Sequence, residues 1–213
     1  MAAPAPAEAW QYLLEGNHRF VAGGPQHPRQ DVELREDLAA DGQHPIVAIF
    51  GCSDSRLAAE IIFDLGLGDA FVVRNAGQVA SDSVLGSLEY AVGALGVSLI
   101  LVLGHDECGA VRTAIDAQAA DAEPLSQNVQ NLIAPIVPAV RRVARARGEG
   151  PLDIGRIDAG EVGKEHLRDT VTDLLTGSEL ISRRVVDGSL GIVGANYRLH
   201  EGTAIPDVLI GLS

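Results

Sequence analysis

Short apolar runs recur along the chain at PIVAIFG (Pro45–Gly51), AFVVRN (Ala70–Asn75), SLILVLG (Ser98–Gly104) and SLGIVGANY (Ser189–Tyr197). They are rich in Val, Ile and Leu and do not alternate with polar residues, the pattern of strands buried on both faces. Helical periodicity fills the intervals at Ala80–Leu95, Glu107–Ala120, Asn128–Arg147 and Ala159–Val186. Pro135 and Pro138 should kink the third of these, because proline removes a backbone donor and crowds the preceding turn. The alternation of strand and helix predicts an α/β fold with a central, mainly parallel β-sheet flanked by helices. Ahead of the sheet, Ala7–Val21 places Trp10, Leu13, Leu14 and Phe20 along one face of an amphipathic helix. Helices already cover the predicted sheet, so this N-terminal helical arm is expected to pack on a partner subunit. The opening AAPAPA reads as a frayed end, and no internal repeat is present.

Composition narrows the setting. The chain has 213 residues, 46% of them hydrophobic, enough for one substantial core, and no polar spacer divides it. A single domain over 1–213 is expected, with the arm over 1–44 and the α/β core over 45–213. The start lacks the basic and apolar regions of a secretory signal and no apolar run is long enough to span a bilayer, so a cytoplasmic location without membrane attachment is expected. A formal net charge of −13 disfavours nucleic acid, whose phosphates it would repel. The one basic cluster, RRVARAR (Arg141–Arg147), reads as a solvated helix face.

The chemistry concentrates at two turns. In FGCSDSRLAAE, Cys52 follows the first strand with Asp54 and Arg56 just beyond; in LILVLGHDECGAVRTA, His105 and Cys108 follow the third. Ligands of open α/β sheets gather at the carboxyl ends of strands where the winding reverses, so both turns can meet there. Two thiolates and an imidazole suit zinc, and three protein ligands leave a fourth position for water. Cys108 also opens a helix, where the positive end of the helix dipole favours a thiolate. Plainer readings stand beside this one: small buried hydrophobes, a Cys52–Cys108 disulfide, or an Asp54–Arg56 helix cap with a surface ion pair. His18, His27, His44, His166 and His200 share no ligand spacing with the cysteines and read as solvated or locally hydrogen-bonded.

CSDSR (Cys52–Arg56) followed by GHDECGAV (Gly104–Val111) resembles the paired signature of the β-class carbonic anhydrases. The resemblance runs from LLEGNHRFVAG through EYAV (Glu89–Val92) to GIVGANY, over most of the chain. It implies an obligate dimer or a dimer of dimers, and zinc-dependent reversible hydration of carbon dioxide to bicarbonate and a proton by zinc-bound hydroxide. By the same resemblance, Cys52, His105 and Cys108 would ligate one zinc per chain and Asp54 with Arg56 would be the catalytic pair. Asp54 would also be the alternative fourth ligand of a closed state. Gln43 would contact substrate, with Phe71, Ala76, Tyr90 and Gly109 around it. Two positions depart from the pattern. Gln78 stands where many members have asparagine, and Ile49 replaces the tryptophan of a bicarbonate-inhibited subgroup, although Arg74 and Tyr197 remain. Two alternatives are a hydrolase of carbon disulfide or carbonyl sulfide on the same scaffold, and a non-enzymatic zinc or redox module. The latter predicts a closed site or a reversible disulfide, and intact Asp54 and Arg56 count against it.

Overall fold

A computed structural model describes residues 3–146 and 154–212. Each apolar run forms a strand: β1 (Val47–Cys52), β2 (Ala70–Asn75), β3 (Leu99–His105) and β4 (Gly191–Arg198). A further strand, β5 (Thr203–Ile210), was not among those expected. The sheet order is β2-β1-β3-β4-β5, with the first four strands parallel and β5 antiparallel to β4. Val47 pairs with Ala70 on one side and with Leu99 on the other, so both neighbours of β1 start level with it. The register of β4 and β5 shifts at Gly194/Ala195, where Pro206 lies opposite Ala195. Proline cannot donate to a ladder, so its place is this outer strand beside an irregularity.

The helices fall on both faces. In chain order they are α1 (Pro6–Val21), α2 (Val32–Asp41), α3 (Ala59–Ile62), α4 (Asp82–Gly93), α5 (Gly109–Asp116), α6 (Gln127–Ile133), α7 (Val137–Ala146), α8 (Ala159–Gly177) and α9 (Glu179–Val186). Pro135 and Pro138 act as expected: a 3-10 turn at Ala134–Ile136 separates α6 from α7. The predicted end of that segment at Arg147 lies outside the described residues. The long helix expected over Ala159–Val186 is instead two, because Ser178 leaves the helical conformation (φ −132°, ψ 112°) and caps α9 by accepting from Ile181 N. Alternate strand residues face opposite layers. Val47, Ile49, Leu99 and Leu101 pack in a core shared with α1 and α5, while Ala48, Phe50, Ile100 and Val102 pack in one shared with α4 and α8.

The apolar face of α1 is covered in part within the chain, since Ala9, Trp10 and Leu13 are buried in its own core, whereas Leu14 and Phe20 of the same stripe are only half-buried. Asn17 fixes the helix by donating from Nδ2 to the carbonyls of Ile62 (3.2 Å) and Gly202 (2.8 Å), while its Oδ1 accepts from Ala204 N (3.0 Å). A side chain on Gly16 would sit 1.8 Å from the Phe63 carbonyl oxygen, so glycine is what lets α1 lie this close to the end of α3. Among the described residues no helix is long and apolar enough to cross a membrane.

Candidate metal centre

After β1 the chain turns to β2 on one side, and β3 lies on the other, so the carboxyl ends of β1 and β3 border the crevice where winding reverses. Cys52 ends β1, His105 ends β3, and Cys108 is the N-cap residue of α5 (φ −70°, ψ 120°). Their ligand atoms all lie within 4.8 Å of one another, and each residue is 4–5% exposed. The residues fit a metal. Both ring nitrogens of His105 are buried without a hydrogen-bond partner, and both thiols are free, so the disulfide alternative is not what the chain adopts. Buried polar atoms left orphaned are costly, whereas a soft, tetrahedral ion satisfies two sulfurs and an imidazole together. The Cys52 thiol is held well below its usual range, first because the Cys108 thiol donates to it and also because the Gly77 amide does. Cys108 is pushed up by the bond to that same sulfur and by burial. The pair therefore gives up one proton readily and holds the second between its sulfurs, a proton that a cation displaces.

The Cys52 turn is built from three charged side chains. Asp54 Oδ1 accepts from both Arg56 N and Nε at 2.9 Å, and Oδ2 accepts from Arg56 Nη2 at 2.8 Å. This is a bidentate pair, and it holds the Asp54 carboxyl well below the usual carboxylate range. Arg74, on β2, donates to the carbonyls of Cys52 (2.9 Å) and Asp54 (2.6 Å), fixing the path between ligand and carboxylate. Glu107, in the His105–Cys108 turn, touches Arg56 at 3.4 Å and has φ +51°, a left-handed backbone rare outside glycine. Asp106 Oδ1 accepts from Leu199 N, tying the same turn to the exit of β4.

Not every candidate residue joins this cluster. Gln43 is exposed ahead of β1, and a strand of six residues, about 17–20 Å long, separates it from Cys52. Phe71 pairs in register with Ala48, near the start of the strands, and its ring lies 6.1 Å from that of the half-exposed Tyr90, tilted by 48°. Within the chain, therefore, Gln43, Phe71 and Tyr90 do not meet the Cys52–His105–Cys108 cluster. Ala76 and Gly109 do border them, Ala76 one residue past the Cys52–Asn75 pair and Gly109 directly after Cys108; both are exposed. Ile49 is 1% exposed inside the apolar core, and Tyr197 pairs with His105 in register. His18, His27, His44 and His200 are exposed. His166 corrects the expectation: it is 2% exposed and bonded to Gly77, far away in sequence. Sequence reasoning also missed Gly77, whose amide donates to Cys52 Sγ at 3.3 Å; a backbone donor leaves no residue-type signal.

A carbonic anhydrase family model matches residues 47–204. Carbonic anhydrase 2 of Mycobacterium tuberculosis is 50% identical over 200 residues, covering 94% of this chain and 92% of that protein. The carbonic anhydrase of Mycolicibacterium smegmatis is 44% identical, with 92% and 91% covered. Among solved structures, the β-carbonic anhydrase CafA of Aspergillus fumigatus superposes with a TM-score of 0.69 at 25% identity, covering 93% of this chain and 90% of that one. A tetrameric β-carbonic anhydrase of Sordaria macrospora shares the fold at 20% identity, with a TM-score of 0.69 and 93% and 96% covered.

Proposed function

Because this chain belongs to the β-carbonic anhydrase family and is an enzyme of that activity, we propose that it hydrates carbon dioxide reversibly at zinc held by Cys52, His105 and Cys108. The observation that carries the reading is the buried Cys-His-Cys cluster with an ionised carboxylate, Asp54, anchored beside it. When bound, the ion supplies a Lewis acid that makes water a nucleophile near neutral pH, which uncharged, electrophilic carbon dioxide requires. Asp54 accepts a hydrogen bond from the attacking oxygen's proton, leaving a lone pair directed at the carbon. Arg56 keeps Asp54 charged and turned away from the ligand cluster, and Arg74 holds the loop that connects the two. A Cβ added at Gly109 would meet nothing within 4 Å, so the start of α5 beside Cys108 is open. Carbon disulfide and carbonyl sulfide are disfavoured as substrates, because relatives matched over more than nine-tenths of the chain are carbonic anhydrases. A redox module, which predicts a closed site or a reversible disulfide, is disfavoured because Asp54 is paired with Arg56 and the same relatives are carbonic anhydrases.

The position of Gln43 supports a dimer or dimer of dimers. At the far end of β1 it can serve only a partner's centre, and Phe71 and Tyr90 are displaced from the ligands in the same direction. The tetrameric Sordaria relative is in keeping with that. A cytoplasmic location fits two free thiols. The test is metal analysis together with stopped-flow hydration, with carbon disulfide as competing substrate. About one zinc per chain is expected, and Cys52→Ser or His105→Ala should lose both metal and turnover; full activity in a metal-free variant would overturn the reading.

A further inference from the structure

His166 has no place in the mechanism above, yet it is one of the most deeply buried polar side chains. It lies on α8, 2% exposed, with Nε2 2.7 Å from the Gly77 carbonyl oxygen. A carbonyl only accepts, so Nε2 carries the proton and Nδ1, buried and without a partner, is bare. Burial lowers the imidazole's affinity for a second proton, in keeping with a neutral ring. One turn later, Thr170 Oγ1 donates to the His166 carbonyl at 2.9 Å and lies 3.3 Å from the next carbonyl along the loop, that of Gln78. From inside the loop, Asn75 donates to the Val79 carbonyl at 2.7 Å and accepts from Val79 N at 2.9 Å.

These bonds hold an unusual backbone. Gly77 (φ +80°) and Gln78 (φ +41°) are both left-handed, and a side chain on Gly77 would come within 2.8 Å of the Ala110 methyl. Gly77 is thus held at close approach to α5, and its amide is the one that reaches Cys52 Sγ at 3.3 Å. A hydrogen bond to a ligand sulfur withdraws charge from it and fixes its orientation toward the metal.

We propose that His166 is a positioning residue for the metal centre, acting through the Gly77 carbonyl to keep the Gly77 amide donating to the Cys52 thiolate. The inference rests on Cys52 being a zinc ligand. A role confined to fastening α8 would alter stability and leave the metal's surroundings untouched.

The experiment compares the wild type with His166→Leu, which keeps the bulk and loses the donor, and with His166→Gln, whose amide nitrogen can occupy the place of Nε2. Zinc affinity is measured by chelator competition, the thiolate-to-cobalt absorption band on cobalt-substituted protein, and the urea midpoint on metal-free protein. His166→Leu should weaken zinc binding about tenfold and shift the band, with His166→Gln close to wild type in both. A band and an affinity within twofold of wild type in His166→Leu would overturn the proposal, as would equal losses in the two variants. Should leucine abolish folding, cadmium-substituted wild type gives the answer, since coupling between the metal and the Gly77 amide proton must be seen and must shrink in His166→Asn. Its absence from the wild type would overturn the proposal. A wild type that binds no metal would instead refute the zinc reading itself, so the two failures are distinct.

Discussion

Asp54 occupies both its oxygens with one arginine, and this decides how the site responds to acid. Its folded-state pKa lies below the unfolded value, so the pairing stabilises the fold fully above the ordinary carboxylate range. That contribution is lost only as pH falls through the depressed value. Loss of hydration activity between pH 8 and 6 should therefore come from protonation of the nucleophile, with Asp54 still charged. Carbon-13 NMR should show Asp54 titrating below its usual range in the wild type and moving back toward that range in Arg56→Ala. The same variant frees the carboxylate to turn toward the metal ligands, and kcat/KM should fall roughly ten- to a hundredfold. At this scale the Cys52–His105–Cys108 cluster and the Asp54–Arg56 pair were legible, because side-chain types at fixed spacing carry them. The Gly77 amide and the Arg74 contacts were not: one is a backbone group, and the other depends on strands being neighbours.

The elements divide by how their signals arise. The parallel strands were plain, since burial on both faces leaves unbroken apolar runs. β5 was hidden by Pro206 and by its exposure, with Ile205 and Leu209 about half open. α2 buries no residue, so it has no apolar stripe to read; its sign is Asp31 capping Leu34 N at 2.8 Å. The break at Ser178 was masked because apolar spacing continues across it. α1 was correctly read as amphipathic; the surface that Trp10 and Leu13 cover within the chain was not legible, since sequence pattern does not tell which part of a sheet its other helices leave uncovered. Leu13 is fully buried, so Leu13→Ala should cost about 2–5 kcal/mol, read as a lower urea midpoint. If α1 served only to join subunits, the same change would weaken association and leave the unfolding of the protomer unaltered.

For the whole molecule, strand order determines which residues one chain can bring together. Cys52 and His105 meet because β1 and β3 are adjacent, while Gln43 is held a strand's length away. Turnover should accordingly fall when dilution dissociates the assembly, and analytical ultracentrifugation paired with hydration assays at the same concentrations would follow both. Gln43→Ala should lower activity without changing zinc content or association; undiminished activity would remove Gln43 from the site. The bonds from Asn17 to Gly202 and Ala204 have a consequence for synthesis. α1 leaves the ribosome long before the stretch that completes it, which lies 185 residues further along the chain. Until then Trp10 and Leu13 have no β5 behind them and remain available to chaperones or to other nascent chains. A ribosome stalled before Thr203 should display a chain whose N-terminal helix is still open to protease, and release of the remaining residues should close it.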